Sequence, residues 1–165
     1  MGGRPLLLLL LPLLGACGFH LRGDVSLPAW LERVQVTGEP RYGKTIEMLA
    51  HSLRAAGATL VERPAQGDVV IVVEGEQRQR RVLSVNSEGR PREYELSYRL
   101  VYSVRTPAGR ELLPSRSVVR TKEYTFDEAD VLGKSTEREE LWHELRRRVV
   151  AAVVNRLRYS RRKPR

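Results

Sequence analysis

Alternating hydrophobic and polar residues predict the strands of this chain. The clearest alternation is EYELSYRLVYSV at 93–104, in which tyrosine, leucine and valine occupy every second position. A period of two places these side chains on one face of a strand, so we expect the tyrosines to pack in the core or on the sheet. A shorter alternation at 33–38 and a segment from Ser115 to Phe126, with Pro114 at its entry, predict two further strands.

The longest extended segment combines two patterns. Residues 68–86 begin with a run of β-branched side chains, typical of a strand covered on both faces, and then become strongly polar. An uninterrupted strand over 69–85 would exceed about 50 Å at about 3.3 Å per residue. We therefore expect a bulge near Gly75 or a projecting arm. Turns are predicted at 87–89 and at 106–109.

Two stretches with a period near 3.6 residues predict helices. Residues 43–56 carry one apolar stripe, and Gly57 stands where a left-handed C-terminal residue is favoured. After a polar loop at 127–136, Thr136 and Glu139 form a capping box that predicts the start of a longer helix. The apolar stripe of this second helix consists of Leu141, Leu145, Val149, Ala152, Val153 and Leu157.

The predicted order of elements is strand, helix, three strands and helix. A helix between the first two strands implies a right-handed crossover and a parallel pair. Because each helix has a single apolar stripe, one layer of helices on one sheet buries all the apolar faces. The expected fold is therefore α+β: a two-layer sandwich of two helices on a four-stranded mixed sheet. It is expected to span 32–159, followed by a disordered basic tail at 160–165.

The N-terminus has the pattern of a cleaved secretory leader. Residues 1–16 contain one arginine, an apolar stretch shorter than the roughly 20 residues of a membrane-spanning helix, and a final Gly-Ala pair. Residues 14–17, LGAC, resemble the lipobox of bacterial lipoprotein precursors, whose cysteine becomes the lipid-bearing N-terminus. We expect lipid attachment at Cys17 and a tether over 17–31. Since Cys17 is the only cysteine, no internal disulfide can form.

The charge of the chain favours anionic partners. Lysine and arginine total 29 against 20 aspartates and glutamates, which gives a formal net charge of +9. For a cytoplasmic protein, this excess of positive charge would suggest nucleic acid as the binding partner. For an exported lipoprotein, the available polyanions are lipid head groups and lipopolysaccharide.

The sequence contains no recognisable catalytic or metal-binding motif. His20, His51 and His143 are far apart and have no metal-ligand spacing. Cys17 cannot act as a nucleophile once it is acylated. We expect no enzyme activity, no cofactor and no metal.

Basic residues near the predicted turns are the candidate binding groups. Guanidinium forks can hold phosphate through paired hydrogen bonds, and an ammonium group adds a point charge. The same residues could instead form a solvated face of alternating charge, and the sequence leaves both readings open. Arginines 146–148 on the second helix are expected to face solvent. The candidates are Arg78, Arg80, Arg81, Arg90, Arg92, Arg120, Lys122 and Lys134.

Two stretches resemble one known family. Residues 17–23, CGFHLRG, and the hairpin at 88–100, EGRPREYELSYRL, are similar to the LptE lipoproteins, and the likeness extends over nearly all of the mature chain. The resemblance implies a lipid anchor on the periplasmic side of the outer membrane of a Gram-negative bacterium. It also implies a 1:1 complex with the β-barrel protein LptD, whose lumen the lipoprotein plugs and whose assembly it assists. Members bind lipopolysaccharide during its insertion into the outer leaflet.

The resemblance also implies where lipopolysaccharide would bind. The family associates binding with a basic residue in the loop before the last helix, which corresponds to Lys134, and with another on the hairpin turn. The second position falls at Ser87, so Arg90 or Arg92 would have to substitute for it. A lipoprotein that chaperones another envelope protein without binding lipopolysaccharide, and a nucleic-acid-binding domain with a misread start, are the alternatives.

Overall fold

The computed structural model describes residues 27–125 and 131–160, with only the backbone over 131–135. The predicted leader, Cys17, most of the tether, the 127–130 part of the predicted loop and the tail beyond Ser160 lie outside the described residues. The strands are β1 (Arg33–Gly38), β2 (Thr59–Leu60), β3 (Val69–Val85), β4 (Pro91–Arg105) and β5 (Glu111–Thr125), and the helices are α1 (Gly43–Ala55) and α2 (Val131–Arg158).

The described strands form one mixed sheet in the order β2-β1-β3-β4-β5. β1 is parallel to both β2 and β3, whereas β3, β4 and β5 form an antiparallel meander. The predicted α+β class and the parallel first pair are confirmed, but the sheet has five strands rather than four. The additional strand, β2, pairs through only Thr59 and Leu60, and two residues are too short to show a period.

The core lies between the two helices and one face of the sheet. Leu49 and Leu53 of α1 are fully buried, and the tyrosines Tyr98 and Tyr102 of β4 are buried as the alternation predicted. Leu31, at the end of a short 3-10 turn, is also fully buried, so packing begins within the predicted tether. No helix in the described part of the chain is long and apolar enough to cross a membrane.

β3 continues far beyond its partner β1. The last paired residues of these strands are Gly38 and Val73, and a β-carbon at Gly38 would lie 2.7 Å from the carbonyl oxygen of Val73. The register with β4 then shifts between Val73 and Gly75, which leaves Glu74 as the extra residue of a bulge. β3 is exposed from 77 to 83, so the expected bulge and an exposed arm are both present. We call 77–85, together with the parts of β4 and β5 paired with it, the arm.

Two sequence predictions about element ends are wrong. α2 begins at Val131 rather than Thr136, so Lys134 lies in the helix and not in a loop. A capping box marks one acceptable start, but it does not prevent a helix from extending further back. Pro114 lies inside β5 and not at its entry, at a register shift where two residues oppose one on β4. β5 is an edge strand, and a proline at a bulge there costs little hydrogen bonding.

A buried polar cluster joins both helices to the sheet. The Thr45 hydroxyl of α1 donates to Glu76 Oε2 at 2.6 Å and lies 3.0 Å from the Tyr98 hydroxyl. Arg146 Nε of α2 donates to the same Tyr98 hydroxyl at 3.0 Å, and its Nη2 lies 3.8 Å from Glu76 Oε1. Burial is the main cause that raises the pKa of Tyr98 above its ordinary value of 10.0, so the phenol is neutral in this cluster.

The expectation that Arg146 faces solvent is therefore wrong, because only 5% of the residue is exposed. Arg146 precedes Val149, Val150 and Val153 by three, four and seven residues, so it lies on the buried stripe of α2. Arg147 and Arg148 are exposed, as expected.

A second polar cluster forms around Glu74 at the bulge. Its carboxylate accepts hydrogen bonds from the hydroxyls of Ser103 and Ser115, each at 2.6 Å, and from Arg105 Nη2. The two serine hydrogen bonds, followed by the charge and hydrogen bond of Arg105, lower the pKa of Glu74 below its ordinary value of 4.5 against the opposing effect of burial. This cluster ties β3 to β4 and β5 on the sheet face opposite the helices.

We predict that Arg146→Met destabilises the protein by about 2 kcal/mol, because it removes the buried cation of the cluster and its hydrogen bond to Tyr98. Glu76 then keeps only the more exposed Arg78, whose Nη2 lies 3.7 Å from Glu76 Oε1. The control is Arg147→Met on the exposed side of the same turn, for which a change within about 0.5 kcal/mol is expected. Urea unfolding of the full chain measures both. Equal losses for the two variants would show that the buried cluster does not support the fold.

We predict that Glu74→Gln reduces the loss of stability in acid. A carboxyl with a lowered folded-state pKa stabilises the fold above its unfolded pKa, and this contribution is lost as the pH falls through the folded value. Unfolding free energies measured between pH 7 and pH 3 should therefore decline less steeply below about pH 4.5 in the variant. Glu123→Gln, which removes an exposed carboxylate of β5, should leave the wild-type pH dependence in place. If the stability of Glu74→Gln fell with pH as steeply as that of wild type, the lowered pKa of Glu74 would not contribute to the loss of stability in acid.

Candidate functional site

The strand register places four candidate residues on one face of the arm. Tyr98 pairs with Arg78 on one side and Arg120 on the other, and Leu96 pairs in the same way with Arg80 and Lys122. Directly paired residues point to the same side of a sheet. Since Leu96 and Tyr98 are fully buried, this is the face on which the helices pack. The four residues on the helix-bearing face are Arg78, Arg80, Arg120 and Lys122.

The opposite face of the arm has a different charge. Arg81 pairs with Glu95, which in turn pairs with Glu123, and Arg81 Nε lies 2.9 Å from Glu95 Oε1. Glu93 adds a third carboxylate and Arg99 a second guanidinium on this open face. The structure therefore separates Arg81 from the other candidates and concentrates positive charge on the helix-bearing face.

Aromatic rings hold two of the arginines on that face. The Arg80 guanidinium lies 4.6 Å from the centre of the Tyr94 ring, and the Arg78 guanidinium lies 5.8 Å from the rings of both Tyr98 and Trp142. Cation–π attraction uses the flat face of a guanidinium and leaves the direction of its N–H groups in the plane. These contacts restrict the two arginines to defined positions on the helix-bearing face.

One aromatic residue of the helix-bearing face is not among the residues predicted from the sequence. Trp142 precedes Leu145 and Val149 by three and seven residues, so helical spacing places it on the buried stripe. Its contact with Arg78 depends on how α2 crosses the strands, and no local pattern contains that information.

The Arg78 guanidinium also has an acidic neighbour, with its Nη2 3.7 Å from Glu76 Oε1. The other two basic residues of the helix-bearing face have polar partners as well. Lys122 Nζ lies 3.9 Å from Glu144 Oε2, and Arg148 Nη2 lies 2.6 Å from the other oxygen of that carboxylate. Arg120 Nη1 donates to the Val119 carbonyl at 2.9 Å. Two cations thus share one carboxylate, so this part of the surface retains an excess of positive charge.

The hairpin turn between β3 and β4 carries two more candidates. The Asn86 side-chain oxygen accepts hydrogen bonds from the backbone N–H groups of Glu88 and Arg90 at 3.0 and 2.9 Å, and Gly89 has a φ of 78°. Arg90 Nε lies 3.5 Å from Glu88 Oε2, and Arg92 is exposed. An asparagine followed by a glycine with positive φ fixes this tight turn and presents both arginines at its base.

Residues distant in sequence begin or end beside this turn. Thr125, the last residue of β5, pairs with Glu93 near the start of β4. α2 begins six residues later at Val131, so its first turns, with the backbone of Lys134, follow from the same end of the sheet. The side chain of Lys134 lies outside the described residues. We call this region the basic end: it comprises Arg78, Arg80, Arg90, Arg92, Arg120, Lys122 and the first turns of α2.

The two described histidines lie elsewhere on the surface. His51 and His143 line a shallow depression of about 610 Å³ between the helices, together with Lys44 and Arg54. Over 27–125 and 136–160, no cluster of three or more side chains has the composition to hold a metal ion.

The sequence profile of the LptE family, described as lipopolysaccharide-assembly, matches residues 31–157. This chain belongs to the LptE family. The family assignment made from the N-terminal and hairpin stretches is confirmed, and the description of the family refers to assembly rather than to a reaction.

Curated relatives and solved structures agree with this assignment. The chain is 28% identical over 141 residues to the LPS-assembly lipoprotein LptE of Photorhabdus laumondii, covering 86% of this chain and 76% of the relative. The corresponding protein of Yersinia enterocolitica is 27% identical over 143 residues, covering 86% of this chain and 68% of the relative.

Two solved structures share the fold. The solution NMR structure of a lipoprotein B from Nitrosomonas europaea has a TM-score of 0.69 and 29% identity, over 86% of this chain and 88% of that one. The rare lipoprotein B of Shewanella oneidensis has a TM-score of 0.67 and 22% identity, over 76% of this chain and 92% of that one. At this lower identity the second likeness is one of fold alone.

Proposed function

We propose that this LptE-family chain is a non-catalytic, lipid-anchored outer-membrane subunit that plugs the LptD barrel and binds lipopolysaccharide at the basic end. The observation that carries the proposal is the gathering of basic residues from β3, the hairpin turn and β5 at one end of the sheet, where α2 also begins. Residues 14–17 supply the lipidation signal, and Cys17 is the attachment point.

The charge arrangement suits a ligand with several phosphates. Lipid A and the inner core of lipopolysaccharide carry closely spaced anionic groups, and arginine forks match phosphate geometry. Arg78 and Arg80 are held over aromatic rings, so less side-chain freedom is lost when an anion binds. Arg90 and Arg92 extend the same surface to the hairpin turn, and Lys134 would add a point charge from the first turns of α2.

The remaining surface suits a polar enclosure. A β-barrel with a polar lumen can accept a compact domain whose outer surface is charged. The sheet face opposite the helices carries charged and hydroxyl side chains along the arm, with Arg81, Glu95 and Glu123 in one paired row and Ser97 and Thr121 in the next. These features support binding inside the LptD lumen, with the acyl chains of Cys17 anchoring the subunit in the periplasmic leaflet.

We predict that replacing Arg90, Arg92 and Lys134 together with glutamine weakens lipopolysaccharide binding by about tenfold or more at moderate salt, because several charge-assisted hydrogen bonds are lost. Co-purification with LptD at a 1:1 ratio should persist. The measurement combines lipopolysaccharide titration of the full chain with isolation of the complex in mild detergent.

The matched control removes the same amount of charge far from the basic end: Arg54→Gln, Arg63→Gln and Arg110→Gln. This variant should lose much less affinity, because screening by salt weakens contributions from charges beyond about 8 to 10 Å. Equal losses of affinity in the two variants would show that lipopolysaccharide binding depends on net charge and not on the basic end. Unchanged binding of the first variant, with the LptD complex intact, would favour a chaperone that does not bind lipopolysaccharide.

A further inference from the structure

Three apolar side chains are exposed at the tip of the arm. Val82, Leu83 and Val85 are 47%, 40% and 56% exposed, and they are three of the four large hydrophobic residues that are exposed in the described part of the chain. The fourth, Tyr159, lies just after the far end of α2. Apolar exposure is therefore concentrated at the basic end, and we call these three residues the tip ridge.

The pairing of β3 with β4 becomes irregular within the tip ridge. The register of β3 and β4 shifts between Val82 and Ser84, and again between Ser84 and Val85. The first shift leaves Leu83 as an extra residue on β3, and the second leaves Arg92 extra on β4. A bulge redirects side chains out of the regular alternation, so apolar residues reach solvent instead of packing below α2.

Arginines surround the tip ridge on both strands. Arg80 and Arg81 precede it on β3, and Val85 pairs directly with Pro91, the residue between Arg90 and Arg92. Paired residues in an antiparallel sheet lie about 5 Å apart, so apolar and cationic groups are within the span of one lipid head group and its chains. A purely polar anion would make no use of the ridge, and a purely apolar partner would have to desolvate the arginines.

We propose that the tip ridge contacts fatty acyl chains of the lipopolysaccharide whose phosphates are held by Arg90 and Arg92. This proposal rests on the lipopolysaccharide binding proposed above and adds a second, apolar contact to it. The ligand is recognised as an amphiphile, with the charged and apolar parts of the hairpin matching the two parts of the lipid.

The test compares intact lipopolysaccharide with the same material after alkaline removal of its acyl chains. The full chain is titrated with each, in the same detergent, as wild type and as the variant Val82→Thr, Leu83→Thr and Val85→Thr. Threonine keeps the strand preference of the tip while making it polar. Tyr159→Thr is the matched control, because it removes an exposed apolar side chain at the opposite end of α2.

Wild type should bind intact lipopolysaccharide more tightly than the deacylated form. The tip variant should lose about tenfold in affinity for intact lipopolysaccharide and less than about twofold for the deacylated form, because only apolar contacts are removed. Tyr159→Thr should match wild type with both ligands. Circular dichroism and urea unfolding of the tip variant should match wild type, which checks that the variant is folded.

Three outcomes would overturn the proposal. Equal wild-type affinity for the two ligands would show that the acyl chains make no contact, while the proposed anion site would stand. If the tip variant bound both ligands as tightly as wild type does, the tip ridge would make no contact with lipopolysaccharide. If the tip variant no longer co-purified with LptD but still preferred intact lipopolysaccharide, the tip ridge would contact the barrel protein and not the lipid. Failure of wild type to bind either ligand would instead refute lipopolysaccharide binding itself.

Discussion

The buried contact between Arg146 and Glu76 joins the helical layer to the sheet. It brings a cation from α2 and an anion from β3 to the Tyr98 hydroxyl, with Thr45 of α1 completing the cluster. Buried charges are tolerated only where their partners are well placed, so this arrangement disfavours other rotations of α2. The apolar stripe alone would permit small shifts along the sheet, since hydrophobic contacts are not directional.

The basic end depends on this placement. Arg146 lies one helical turn beyond Trp142, and Trp142 is the ring beside Arg78. Glu144, between them, approaches Lys122 of β5. A rotation of α2 that moved Arg146 away from Glu76 would also move the aromatic and acidic partners of the arm's cations. Stability and the geometry of the proposed anion-binding surface thus share one determinant.

The sequence predicts regular elements well and irregular ones poorly. The alternation of β4 predicts the correct buried face. The length of β3 predicts a bulge near Gly75 or a projecting arm, and the bulge lies at Glu74. β2 has too few residues to show any period, and a capping box inside α2 imitates a helix start. The burial of Arg146 could have been predicted from the sequence, because its spacing from Val149 and Val153 matches the apolar stripe of α2.

The candidate site was also predicted from the sequence only in part. The sequence alone identifies the basic residues, and the period of a strand places Arg80 and Arg81 on opposite faces. It does not show which of these faces bears the helices, because that depends on the bulge at Glu74 and on the register with β4. The tip ridge was hidden for a related reason. The register of β3 and β4 shifts twice between Val82 and Val85, so the strand period no longer indicates which of these apolar side chains are covered, and all three are exposed. Local irregularity in pairing is therefore what gives the hairpin a surface with both cationic and apolar character.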